Sequence, residues 1–402
     1  MSKNNSDFFR EKKDWSEIKD QLLGCYLTPY FSKILLTYKP VFYVDAFAGK
    51  GRFDDGKPGS PIIALERINS AIKTSKNSSP IIESCFIECR YAKDLLNNIN
   101  GYADAKVIDG KYEDCIETEL LNRTNQNVFI YLDPYGIKSL KYSLIRGIAK
   151  RDFYSIELLF NFNSFGFIRE ACNSMSINCD IEDKDVLKGP EDDAVGVNRS
   201  SLSDLNEVAG GDYWQVIVGE MKDRKIDGYQ AEKMFSNQYC EMMGKQFKFV
   251  LNMPIRMKRG QRPKYRMIYA TNHPKGCVLM NDNMVKRWEA LQEIQTCGQI
   301  SFFTEDAENQ IIDLRKMNEE LMSFGMNIEG YTDIDTFIAL FVCQNGIKYS
   351  SGDITKELDK LCSSEKFVVK RDPAITETGK PSKFWSSTKY QSVKVRFVNE
   401  KD

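Results

Sequence analysis

Four acids stand at the ends of short apolar runs: Asp45 after residues 41–44, Glu88 within 84–89, Asp109 after 105–108 and Asp133 after 128–132. Runs this short, bounded by turn residues, read as buried strands rather than helices. In an open α/β sheet, ligands bind in a crevice beyond the carboxyl ends of the strands. The four acids would therefore meet at one crevice. There, an acid after the second strand suits ribose hydroxyls and an acid after the third suits an adenine amine. Asp45 runs into Ala48, Gly49 and Gly51, a turn with almost no side-chain bulk. Glycine permits positive φ and close approach of a ligand to the backbone. A tight structural turn would look the same, so the second acid-bearing loop, Asp133-Pro134-Tyr135-Gly136, matters. The chain has no G-x-x-x-x-G-K-[ST] and no G-x-G-x-x-G, the patterns that cradle triphosphates and dinucleotides. An adenosyl ligand without phosphates fits the turn better.

Bulk properties narrow the chemistry. The chain has 402 residues, enough for two or three domains, and a net charge of −1. Any nucleic-acid surface must then be a local patch. A single histidine, His273, argues against histidine-rich metal sites and a Ser-His-Asp arrangement, and no metal is expected. Eleven cysteines without a C-x-x-C pair point to a reducing cytoplasm. The N-terminus lacks the apolar core of a signal peptide, and no stretch approaches the roughly 20 apolar residues of a membrane span.

The elements that must position these acids follow in order. Helical spacing over 7–38 includes Trp15, Ile18, Leu22, Leu23 and Tyr26, with a break expected at Pro29. Gly59-Ser60-Pro61 opens a helix through residue 72, with Ser60 as its N-cap. Residues 40–162 alternate strand and helix, the pattern of a doubly wound, mainly parallel α/β sheet. The polar, acidic stretch within 173–228 reads as an insertion. Strands 247–253 and 265–271 form a late antiparallel pair at the sheet edge. Their connection carries Arg256, Lys258, Arg259, Arg262 and Lys264. It is either a solvated hairpin tip or a contact to nucleic-acid phosphates. We place the first domain at 1–300 and the second at 301–402. The second comprises a helical connector and a small winged-helix-like α+β module, built from helices near 332–343 and 351–361 and a strand pair.

The ordered set Asp45–Gly51, Gly59-Ser60-Pro61, Phe86-Ile87-Glu88, Asp133–Gly136, 159–162 and Tyr269-Ala270-Thr271 resembles class I S-adenosylmethionine-dependent methyltransferases. More narrowly, it is similar to the three-Cys-motif partner protein family over roughly residues 10–285. The resemblance implies a Rossmann-like methyltransferase sheet and S-adenosyl-L-methionine as cofactor. It also implies a partner that bears the cysteine motif and resembles radical S-adenosylmethionine proteins. Asp45, Ala48, Gly49 and Gly51 would hold the methionine part, Glu88 the ribose and Asp109 the adenine. Asp133, Pro134 and Tyr135 stand where amino-methyltransferases hold a nucleobase amine and stack on the base. The aromatic residue directly after the first proline resembles the guanine-amine version of that loop. The implied function is methylation of a nucleobase amine in RNA or DNA, in the cytoplasm. Two alternatives are a non-catalytic cofactor-binding subunit of the partner and a winged-helix DNA-binding regulator.

Overall fold

The computed structural model describes residues 9–12, 14–102, 104–177, 200–255, 263, 265–296, 313–376 and 378–398. The chain divides into two compact units, Met1–Asn272 and His273–Asp402.

The first unit is built on strands β1 (Val41–Asp45), β2 (Ile82–Glu88), β3 (Ala105–Asp109), β4 (Asn127–Leu132) and β5 (Ser155–Phe162), with β6 (Phe249–Ile255) and β7 (Tyr265–Thr271). They form one seven-stranded sheet in the order β3-β2-β1-β4-β5-β7-β6. β1 to β5 are parallel, and β7 runs antiparallel to both β5 and β6. The sheet is thus doubly wound and Rossmann-like, with the late antiparallel edge pair expected of a methyltransferase-like fold. The strand order reverses beside β1, so the crevice for a ligand lies beyond the ends of β1 and β4.

Helices α1 (Asp14–Ile34), α2 (Ser60–Thr74), α3 (Ala92–Asn98), α4 (Tyr112–Leu120), α5 (Tyr142–Ala149), α6 (Ser164–Ser174), α7 (Leu202–Ala209), α8 (Trp214–Lys222) and α9 (Gly228–Gly244) flank the sheet. Every residue of β1 and β4 is buried, as expected when helices cover both faces. Successive side chains of β1 serve the two faces in turn. Phe42 and Val44 join the core that includes Tyr112, Ile145 and Tyr239. Tyr43 instead stacks with Phe129 and meets Phe31 of α1 edge-on. Asp45 shares the parity of Tyr43, which turns its carboxylate toward the α1 side. This register decides which helix furnishes the site.

Two local expectations are corrected. Pro29 lies inside α1 without ending it. Burial of Leu22, Leu23, Tyr26, Leu27, Tyr30 and Phe31 outweighs the lost hydrogen bond, since each such side chain contributes about 1.5–3 kcal/mol. At α2, Gly59 rather than Ser60 is the N-cap, because the Gly59 N–H donates to the Gly51 carbonyl and draws Ser60 into the first turn. Within the expected insertion, residues 200–228 hold α7 and α8; residues 178–199 lie outside the described residues.

The second unit carries α10 (Pro274–Thr296), α11 (Leu314–Met326), β8 (Thr332–Asp333), α12 (Ile334–Asn345), α13 (Ser351–Ser363), β9 (Phe367–Asp372) and β10 (Ser392–Phe397). Its three strands form an antiparallel sheet in the order β8-β10-β9. Phe324, Phe337, Phe341, Phe367 and Phe397 pack together as its core. Asp333 caps α12 and Ser350 caps α13 through their side chains. Among the described residues, no helix is long and apolar enough to cross a membrane.

Candidate active site

The turn after β1 is shaped by two left-handed glycines, Gly49 at φ +62° and Gly51 at φ +77°. A Cβ on Gly51 would lie 2.9 Å from Leu95, and one on Gly49 would lie 3.0 Å from the Phe9 ring. Both positions disfavour a side chain by conformation, and a Cβ at either would press on a neighbouring side chain. The turn is tied to its neighbours by the Ala46 N–H donating to the Tyr131 carbonyl and the Ala48 N–H to the Ile87 carbonyl.

Glu88 holds this turn from the end of β2. Its Oε2 accepts the Gly49 N–H at 2.8 Å, and its Oε1 accepts the amides of Arg90 at 2.8 Å and Tyr91 at 3.2 Å. A carboxylate has about four acceptor positions, so one remains on Oε2. The sequence-derived role of a ribose acceptor thus sits on a group that is also the brace of the glycine turn.

Asp45 is fully buried, and its Oδ1 accepts the Phe47 N–H at 3.3 Å. Its Oδ2 is buried without a hydrogen-bond partner. Burial pushes the Asp45 carboxyl up to about 7; Ser60 and the Phe47 amide oppose that, while Asp133 and Asp20 add to it.

Asp133 lies just beyond β4 and is bound from α1. Lys19 Nζ donates to Oδ1 at 2.9 Å and to Oδ2 at 2.7 Å, and Asn161 Nδ2 of β5 donates to Oδ1 at 2.9 Å. Lys19 and Asp133 are 8% and 26% exposed at their side chains. A second ion pair lies alongside: Lys12 Nζ is 2.6 Å from Asp20 Oδ2 and also donates to the Pro58 carbonyl. Burial pushes the Asp20 carboxyl up to about 6, against the pull of Lys12 and Lys19.

Two cavities open at this edge. The smaller, about 80 Å³, is lined by Lys19, Asp20, Gly49, Ser60, Asp133 and Pro134 among others. The larger, about 460 Å³, is bounded by Glu88, Gly110, Tyr112 and the start of α6 at Asn163 and Gly166. Phe47 and Tyr135 line both, so these two rings form the shared wall. Ala48, Gly49 and Gly51 border the smaller cavity and Glu88 the larger. Asp45 and Asp109 line neither cavity, Asp45 because it is fully buried and Asp109 because it is exposed at the sheet edge, although Gly110 lines the larger one. Arg256, Lys258, Arg259, Arg262 and Lys264 lie outside the described residues. Among the described residues, no cluster of three or more His, Cys, Asp or Glu could hold a metal ion.

Sequence reasoning missed Lys19, Asp20, Lys12 and Asn161. Lys19 carried a legible signal: it lies four residues from both Trp15 and Leu23, on the helix's apolar stripe. A lysine on a buried stripe needs a counterion.

No protein-family model matches the chain, and neither does any curated protein. Among solved structures, it is similar to protein LPL1258 from Legionella pneumophila at 13% identity and TM-score 0.35, over 65% of this chain and 85% of that one. It is also similar to the plantazolicin methyltransferase BamL, solved with a triazolic desmethylPZN analog and SAH, at 10% identity and TM-score 0.30, over 63% and 85% of the two chains. The plantazolicin methyltransferase BpumL, solved with SAH, matches at 9% identity and TM-score 0.27, over 64% and 86%.

Proposed function

We propose that the chain is a cytoplasmic S-adenosyl-L-methionine-dependent methyltransferase acting on an exocyclic amine of a nucleobase in RNA or DNA. In this reading it works with a three-Cys-motif partner that resembles radical S-adenosylmethionine proteins. The observation that carries the reading is the Asp133 carboxylate, held by Lys19 and Asn161 on the same cavity wall as the bare glycine turn.

The residues present fit the cofactor. The partnerless Asp45 Oδ2 is an acceptor suited to the ammonium of a methionine part. Asp45 itself is fully buried and lines neither cavity, whereas Gly49 and Gly51 line the smaller one. The last acceptor position of Glu88 suits a ribose hydroxyl in the larger cavity. Bound there, the cofactor supplies an electrophilic methyl group on a sulfonium. The protein's task is then to position an amine and exclude water. Asp133 has three of about four acceptor positions filled, and the fourth, on Oδ2, can take one N–H of a substrate amine. Tyr135 in the shared wall can stack on the base.

A second reading, a non-catalytic cofactor-binding subunit of the partner, draws on the same ion pair, because Lys19 already occupies both oxygens of Asp133. Label transfer from methyl-labelled S-adenosylmethionine to RNA, to DNA and to the partner protein separates the two. Label in a nucleobase amine is the expected result. Cofactor binding without transfer to any of the three would leave the accessory reading.

A further inference from the structure

The charge of the chain is unevenly spread. Residues 366–398 carry eight Lys or Arg against two acids, a net +6 in a protein whose total is −1. Such asymmetry is the electrostatic footprint of a polyanion site. The charge belongs to the strands and their connection, not to the helices. α13 has three acids (Asp353, Glu357, Asp359) against two lysines, and α11 has two of each sign.

The pairing of β9 with β10 makes this sharper. Lys370 lies directly opposite Lys394, and both side chains are exposed. Like charges in directly opposed positions destabilise a sheet. On its other side, Lys394 faces Asp333, whose Oδ1 caps α12 and whose Oδ2 accepts the Ser387 hydroxyl. Asp372 ends the same face of β9, opposite Ser392. No acid among the described residues lies within ion-pair distance of Lys370 or Lys394. Asp333 and Asp372 offset part of this repulsion on the same face, and both ammoniums stay open to an external anion.

Aromatic rings stand in the β9–β10 connection. Phe384 is 63% exposed and Tyr390 is 73% exposed. The loop that displays them is anchored: Arg371 donates to the Phe384 carbonyl and stacks on Trp385, whose indole N–H donates to Asp359. Successive strand residues face opposite sides, so Arg371 anchors this loop from the face opposite to Lys370. A single strand that uses both faces would cross the β9 edge of the sheet, with rings for bases and lysines for phosphates.

We infer that the outer face of the β9–β10 ribbon and its connecting loop bind single-stranded nucleic acid, with Lys370 and Lys394 on phosphates and Phe384 and Tyr390 on bases. This surface needs no methyl donor, so its failure and that of the methyltransferase reading are separate results.

The test is fluorescence anisotropy of the full chain with a labelled 20-nucleotide oligouridine over a salt series, and polyglutamate as competitor. Lys370→Glu with Lys394→Glu should weaken binding at least tenfold and flatten the salt slope by about 0.7 for each lost phosphate contact. Phe384→Ala with Tyr390→Ala should weaken it about fivefold or more at an unchanged slope. The milder Lys370→Gln with Lys394→Gln pair repeats the first measurement if the charge-reversed chain melts early. Unchanged affinity and slope in the lysine variants would overturn the proposal. So would competition by polyglutamate as strong as by unlabelled oligouridine, which would mean general attraction for polyanions.

Discussion

Lys19 Nζ lies 2.9 Å from Asp133 Oδ1 and 2.7 Å from Oδ2, so one ammonium from α1 spans the whole carboxylate beyond β4. The contact joins residues 114 positions apart and fixes an acid that lines the smaller cavity.

Asp133→Asn should keep the shape of the loop while removing the counterion of the nearly buried Lys19. We expect a loss of about 1–3 kcal/mol in urea unfolding, the usual cost of leaving a buried polar group poorly satisfied. Calorimetric affinity for S-adenosylmethionine should change little, because Asp45 and Glu88 are untouched. Methyl transfer to the true substrate should fall by about 100-fold or more. Full transfer activity in this variant would make the Asp-Pro-Tyr-Gly loop structural.

Gly49→Val places a branched side chain at φ +62° with its Cβ against the Phe9 ring. The left-handed conformation alone costs about 1–2 kcal/mol for a residue with a Cβ. The folded variant should show no calorimetric binding of S-adenosylmethionine. Unchanged affinity would remove the glycine turn from the cofactor site.

Glu157 supplies a pH signature. It is buried on β5, its Oε2 accepts the Tyr26 hydroxyl at 2.6 Å, and burial pushes its carboxyl up to about 7 against the opposing Tyr26 and Tyr269 hydroxyls. The folded state holds this proton after the unfolded chain, with an ordinary carboxyl near 4.5, has released it. Stability from this group is therefore fully present below about 4.5 and is lost as pH rises toward 7. Asp45 and Asp20, also raised, act with the same sign. Glu157→Gln should gain about 1–3 kcal/mol relative to wild type between pH 4.5 and pH 8. Urea unfolding at the two pH values checks this; an equal difference at both would refute it.

Arg266 of β7 and Glu232 of α9 form a buried bidentate pair, Nε to Oε1 and Nη2 to Oε2, both at 2.8 Å. Glu232 also accepts the Ser164 hydroxyl at the start of α6. Glu232→Ala removes the carboxylate that neutralises a buried guanidinium and should cost about 3–5 kcal/mol in chemical denaturation. The paired change Glu232→Leu with Arg266→Met should recover much of that loss, since an apolar pair avoids the desolvation of both charges.

Sequence alone determined the strands and their order of function. Apolar runs of four to six residues, alternating with helical periodicity, specify a doubly wound sheet through local burial and spacing. An acid at the end of a parallel strand is then carried to the binding edge by geometry alone. Asp45, Glu88 and Asp133 were legible for that reason, as was the side-chain-free turn at Gly49 and Gly51.

What the tertiary structure decided is which partner each of those acids has. Glu88 turned out to brace the Gly49 turn across 39 positions of sequence, and Asp133 to hold a lysine from a helix far earlier in the chain. Asp109 and Asp45 both end strands yet line neither cavity, Asp109 because β3 is the exposed edge of the sheet and Asp45 because it is fully buried. The opposition of Lys370 and Lys394 likewise follows from strand register, not from their spacing. Periodicity records which face of an element is buried. It does not record what waits on the other side, because that is set when distant segments close on one another and each buried charge must find whatever counterion the packing has brought within reach.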